Sequence, residues 1–238
     1  YKRQAYRERQ DRLQSLQRLY RLRLRELMLV ARRLKGVDEP PDLVAAEERH
    51  AIAQLRALDR HHLNRIESIY REFEPGFDSD SSEQLARQRR DVVAMLDDCP
   101  TLLLTGGNVL VLLNRLQLFG LGEPLASRHL VAWSAGAMVL AEQVVLFHDS
   151  RPNGRRDAEL LGSGMAVLPG FIFLPDARRR LRERDSDRIG LFSSRFSPQR
   201  CVTLDNGAEL VFENGRVVRS TAVDTLSPRG AVTPLGGS

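Results

Sequence analysis

Cysteine is scarce: Cys99 and Cys201 are the only two in 238 residues, too few for a disulfide framework or a thiolate metal cluster. No stretch approaches the roughly 18 consecutive apolar residues of a membrane helix. The first residues do not combine a basic stub, an apolar stretch and a small-residue cleavage site, so neither a membrane span nor a retained signal peptide is expected. The chain begins with Tyr1 rather than Met. No His, Asp or Glu cluster has a metal-ligand spacing, and neither the dinucleotide fingerprint nor the phosphate loop with its lysine occurs, so no metal and no cofactor are expected. Aromatic residues make up 6% of the chain, with a single tryptophan. The basic segment lacks the interleaved aromatics that stack single-stranded nucleic acid.

What the chain has in excess is positive charge, and the excess is local. Residues 1–40 hold 12 Lys and Arg against 5 Asp and Glu, a net +7, and the remainder is −2. Such a segment can meet nucleic acid or an acidic partner, and it can equally be the wet face of a long helix. Leu13, Leu16, Tyr20, Leu24, Leu27, Ala31 and Leu34 recur at spacings of three and four, which predicts a helix to Lys35 that Gly36 and Pro40-Pro41 stop. A second helix is predicted through Val44, Ile52, Leu55, Leu58, Ile66, Ile69 and Phe73, ending at Pro75-Gly76. Ser81 and Gln84 form a capping box for a third, carrying Leu85, Val92, Val93 and Leu96. Residues 1–100 thus read as a helical hairpin plus a third helix. The hairpin must bury its stripe against the main domain or a second subunit, which makes residues 1–75 the expected surface for a homo-oligomer or protein partner.

From Thr101 strands alternate with helices. Thr101 to Thr105 reads as a buried strand, Gly106-Gly107 as a tight turn, Asn108 to Phe119 as a helix and Leu130 to Trp133 as a second strand. Further strands are expected at Val144–Phe147, Met165–Leu168, Cys201–Leu204, Ala208–Phe212 and Arg216–Arg219. The last three are separated by Asp205-Asn206-Gly207 and Asn214-Gly215, which predicts an antiparallel meander. The fold class is α/β: a mostly parallel sheet flanked by helices over residues 101–225, with a C-terminal antiparallel strand pair and the N-terminal helical extension. Residues 226–238, rich in Pro, Gly and Ser, read as a flexible tail.

The segment Val131-Ala132-Trp133-Ser134-Ala135-Gly136-Ala137 runs an apolar strand into a serine and then into small residues that open a helix. In that context a sharp turn lifts a nucleophilic hydroxyl above a sheet and helix-start N–H groups hold an oxyanion. A serine that merely caps a helix fits the same letters. Gly106-Gly107-Asn108 ends the neighbouring strand and should face the same crevice, allowing close backbone approach to a substrate.

The order strand, Gly-Gly-Asn, helix, strand, Trp-Ser-Ala-Gly-Ala resembles the peptidase E and cyanophycinase family of serine hydrolases, whose fold is related to class I glutamine amidotransferases. The likeness covers residues 101–219, about half the chain, and includes Leu204-Asp205-Asn206-Gly207-Ala208-Glu209-Leu210-Val211. It implies Ser134 as nucleophile, and the acidic residue that follows the family's nucleophile by fifteen positions falls on Asp149. The residues themselves offer oxyanion donors at Gly107 and Ala135 and substrate contacts at Gly106, Asn108, Trp133 and Asp176. Arg178, in the Arg-rich run 178–182, can hold an anionic substrate or belong to a basic helix face paired with Glu183, Asp185 and Asp187, and Trp133 can equally be packing beneath the turn. The chain departs from the family at Asp176, which stands where the catalytic histidine belongs in Pro169-Gly170-Phe171-Ile172-Phe173-Leu174-Pro175-Asp176. A serine needs a base with a pKa near the working pH, and His148, beside Asp149, is the replacement candidate. His129 precedes its strand at the far end. The family also has several parallel strands before the Gly-Gly turn, where this chain has helices, so those strands lie upstream of Tyr1 or are replaced. The functional expectation is a cytoplasmic serine peptidase or amidohydrolase, active or impaired. The alternatives are a non-catalytic relative whose helical arm binds a partner, and a nucleic-acid-associated protein acting through its basic first helix.

Overall fold

The computed structural model describes residues 2–77, 83–147, 157–181 and 183–236. Helix α1 (Lys2–Leu34) and helix α2 (Pro41–Phe77) form the expected hairpin. Proline opens α2, where its missing N–H leaves no intrahelical bond unmade. The pairs Arg12–Glu72 and Lys35–Glu48 bridge the hairpin's open end and its turn and fix the two helices as antiparallel. Helix α3 (Glu83–Asp97) follows, and Ser81 of its expected capping box lies outside the described residues.

The hairpin is not a separate arm. Tyr20, Leu24, Met28 and Ala31 of α1 and Ala51, Leu55 and Leu58 of α2 belong to one buried cluster with Phe147, Leu160, Ile172, Leu174 and Ile189. Charge joins the same parts. Arg195, on helix α8 (Ser186–Phe196), makes a bidentate pair with Asp59, with Nε at 2.7 Å from Oδ2 and Nη2 at 2.7 Å from Oδ1. It also donates to the Tyr20 hydroxyl at 2.6 Å and the Ala158 carbonyl at 2.7 Å. The expected boundary at residue 100 therefore does not divide the core.

The remainder mixes helix and strand, and its described residues form four small sheets rather than one mostly parallel sheet. Strand β1 (Thr101–Leu104) pairs in parallel with β2 (His129–Ala132), and helices α4 (Val109–Leu118) and α5 (Gly122–Ala126) cross between them. Helix α6 (Ala135–Leu140) leads from β2 to β3 (Gln143–Leu146), a connection too short for a parallel crossover into the same sheet. β3 instead pairs antiparallel with β4 (Glu159–Ser163).

Strand β5 (Phe171–Pro175), wholly buried, pairs in parallel with β6 (Arg200–Leu204), and α7 (Ala177–Arg180) and α8 lie between them in the chain. The other edge of β6 pairs with β9 (Asp224–Leu226), which pairs with β10 (Val232–Pro234). Because both edges of β6 are occupied, the expected meander fails at its first turn. Only β7 (Glu209–Glu213) and β8 (Arg216–Thr221) form a hairpin, and Asn214 and Gly215 take φ of 50° and 74° as that tight turn requires. Residues Met165–Leu168 make a single bridge, Leu168 to Ala141, and no strand. Within the described part of the expected tail, residues 226–236, Leu226 and Leu235 are buried, and Leu235 donates to the Val223 carbonyl at 2.8 Å.

Candidate active site at the turn after strand β2

The ladder of β2 runs one residue past its last pair, where the Trp133 N–H donates to the Leu104 carbonyl at 3.1 Å. The chain then turns sharply at Ser134, with φ 54° and ψ −126°, outside the regions a side-chain-bearing residue ordinarily occupies. Helix α6 begins at once, its first bonds running from Gly136 to the Trp133 carbonyl and from Met138 to the Ser134 carbonyl. The Ser134 side chain makes no capping bond, so the helix-capping alternative does not account for the residue.

Small neighbours are required by contact. A Cβ on Gly136 would lie 2.1 Å from the Leu104 carbonyl oxygen, because α6 passes directly over the end of β1. A Cβ on Gly106 would meet Ser134 Cβ and Oγ at 3.1 Å. The Gly-Gly loop and the serine are thus brought together, as the sequence implied. Gly107 takes φ 128°, and Asn108 caps α4 by accepting from the Val111 N–H at 3.1 Å.

Ser134, Ala135, Gly107 and Asn108 line a cleft of about 980 Å³. Its opposite wall is one face of α1, including Gln14, Gln17, Arg18 and Arg21, with Tyr70 of α2. Leu146, Phe147 and Arg180 also line it. The Arg180 guanidinium lies 5.9 Å from the Phe147 ring centroid and 3.7 Å from the Asp176 carboxylate.

Three expected substrate contacts stand elsewhere. Trp133 is 48% exposed on the outer face of β2, beside Val131 and, across the ladder, Leu103. Asp176 sits in a left-handed turn after β5 (φ 58°) and is not among the cleft-lining residues. Arg178 is likewise not among the cleft-lining residues: Asp205 and Asp224 stand 3.8 and 4.0 Å from its guanidinium, and its main-chain N–H donates to Asp205 at 3.0 Å. His148 and Asp149 lie outside the described residues. His129 opens β2, at the far end from Ser134.

The sequence reading missed the α1 wall and the polar network behind it. Gln17 lines the cleft, accepts from His62 Nε2 at 2.8 Å and donates to Glu159 at 3.3 Å and to the Leu160 carbonyl at 3.4 Å. Those two donations fix the amide's orientation and hence make Nε2 the protonated nitrogen of His62. The ring stacks on Tyr20 at 4.0 Å, is 1% exposed, and has a buried Nδ1 without a partner. Burial lowers the His62 pKa from 6.5 to about 4 and raises that of the Tyr20 hydroxyl. A signal for this network was present: Gln17, Asp59 and His62 fall in phase with the apolar stripes of their helices.

Compared with known proteins, the chain matches no protein-family model and no curated sequence.

Proposed function

We propose that the chain is a serine hydrolase acting on a peptide or amide bond, with Ser134 as nucleophile, on the plan of the peptidase E and cyanophycinase family it resembles. The observation that carries this reading is the backbone of Ser134: a strained turn, φ 54° and ψ −126°, on a residue whose hydroxyl does not cap its helix and which opens on a large cleft. Such strain costs on the order of 1–3 kcal/mol and is typically held where function needs it.

In the proposed reaction His148 takes the Ser134 proton as Oγ adds to the substrate carbonyl. The main-chain N–H groups of Gly107 and Ala135 hold the oxyanion; Ala135 opens α6, where N–H groups have no intrahelical acceptor. The tetrahedral centre collapses with loss of the amine, which receives the proton from His148, and water then hydrolyses the acyl ester by the reverse proton path. Asp149 orients the imidazole. His148 is assigned as base because it stands beside Asp149 in the sequence.

A second reading, a non-catalytic relative whose cleft only binds, rests on Asp176. Its carboxylate stands where the family that the chain resembles has the catalytic imidazole, lies 3.7 Å from Arg180 and does not line the cleft. Labelling with a fluorophosphonate, read by intact mass across a pH series, separates the two. The hydrolase gives one adduct per chain that is lost in Ser134→Ala and in His148→Ala. Absence of an adduct at every pH rejects the serine mechanism in favour of the binding reading.

A further inference from the structure

A second concavity, of about 470 Å³, lies between α2 and the C-terminal end of α8 and shares no lining residue with the cleft at Ser134. Its α2 wall carries Arg49, Arg56 and Arg60. These positions fall on one face of the helix, with rises of roughly 10 Å and 6 Å between successive residues. Across the groove stand Ser194 and Ser197, and Ile52 and Pro228 add an apolar strip.

The donors here outnumber their acceptors. Arg56 is held in place, its Nε donating to the Ser194 carbonyl at 3.0 Å and its Nη2 to the same oxygen, which leaves Nη1 uncommitted. Arg49, Arg60 and the two serine hydroxyls make no hydrogen bond or ion pair among the described residues, and no carboxylate lines the groove. Elsewhere the guanidinium groups of Arg12, Arg21, Arg128 and Arg219 each have a carboxylate within 2.8 Å. A concave wall with three positive charges, two serine hydroxyls and no carboxylate concentrates anions. Planar guanidinium forks match phosphate oxygens two at a time. One carboxylate would satisfy a single arginine. An array rising over about 16 Å of helix, in a cavity within the usual range for small ligands, fits a ligand with more than one phosphate.

We propose that this groove binds the phosphates of a nucleotide-sized phosphorylated ligand, with Arg49, Arg56 and Arg60 and the hydroxyls of Ser194 and Ser197 as donors, and with Ile52 and Pro228 against its less polar part. Bound phosphate would bridge α2 to α8, beside the Asp59–Arg195 pair that already joins them.

Titration calorimetry and thermal melts at 0.15 M salt (roughly physiological ionic strength) test this with ADP, inorganic pyrophosphate and adenosine. Saturable binding and a raised Tm are expected with ADP, with adenosine inert. Pyrophosphate binding as tightly as ADP would assign recognition to the phosphates alone. The double variant Arg49→Ala/Arg60→Ala should weaken binding at least tenfold while leaving the unliganded Tm unchanged, since both side chains are exposed and unpaired. Ser134→Ala should bind as the wild type does. The proposal is overturned if neither phosphate compound binds, if adenosine binds equally, or if the double variant binds undiminished. Binding of a single-stranded oligonucleotide, lost in the double variant while ADP and pyrophosphate stay inert, would also overturn it by making the groove a nucleic-acid surface.

Discussion

Ser134 bears a conformational cost that its own side chain does nothing to offset, since the hydroxyl caps no helix. Glycine relieves that cost and alanine does not, because only glycine enters positive-φ space freely. Ser134→Gly should therefore be more stable than Ser134→Ala by about 1 kcal/mol, read from denaturant midpoints of the two variants, and both should be inert to the fluorophosphonate. Equal stability of the two would mean the turn is not strained. This residue was legible because its neighbours are small for a reason: Gly136 cannot carry a Cβ beneath Leu104, and Gly106 cannot carry one beside Ser134 without crowding it. Asp59, His62 and Gln17 were not legible in the same way. A lone polar residue within a helical stripe looks like an irregularity until the partner is known, and Arg195 lies 136 residues from Asp59.

At the scale of elements, the hairpin is tied down by burial and by ion pairs, of which Asp59–Arg195 is the most buried. Both partners of that pair are nearly dry, Arg195 at 3% and Asp59 at 7% exposure. Removing one charge leaves the other stranded, and such losses cost about 3–5 kcal/mol. Asp59→Ala should lower stability by that amount. The double variant Asp59→Leu/Arg195→Met should recover part of it, since no charge is then stranded, while the Ala158 carbonyl and the Tyr20 hydroxyl each lose a partner. Urea titrations of the wild type, Asp59→Leu, Arg195→Met and the double variant give the coupling directly, and additive losses would show that the pair contributes no more than its packing.

Local pattern served helices α1 to α4 and the β7–β8 turn well, because periodicity and Asn-Gly are local. It missed α5 and α8 and strands β4, β5, β9 and β10. The run Phe171 to Pro175 is fully buried and lacks alternation, and strands of three residues in a Pro/Gly-rich stretch acquire identity only from the long-range edges of β6 that they meet.

For the molecule as a whole, the concentration of positive charge in residues 1–40 is partly internal. Arg21 pairs with Glu159, Arg32 with Asp157 and Arg12 with Glu72, so the basic helix is held to the acidic groups of its own fold. Sensitivity to acid has a defined place in this fold, the buried imidazole of His62. His62 titrates near 4 when folded and near 6.5 when unfolded. Between those values the unfolded chain binds the extra proton, so the histidine's contribution is complete above pH 6.5 and is lost as pH falls towards 4. The loss is on the order of 3 kcal/mol. Stability measured from pH 7 to 4.5 should fall more steeply in the wild type than in His62→Phe, which keeps the stack on Tyr20 without the titrating ring. Parallel pH profiles would remove His62 as the cause.

The single tryptophan immediately precedes Ser134, on a strand face that is half in water. Indole emission from this protein therefore has one origin, and that origin is covalently joined to the strained turn. Acylation of the serine, closure of the cleft or relaxation of the turn would each alter the polarity around that ring. The chain thus carries its own optical reporter beside the site, with no label to attach and no competing tryptophan to subtract.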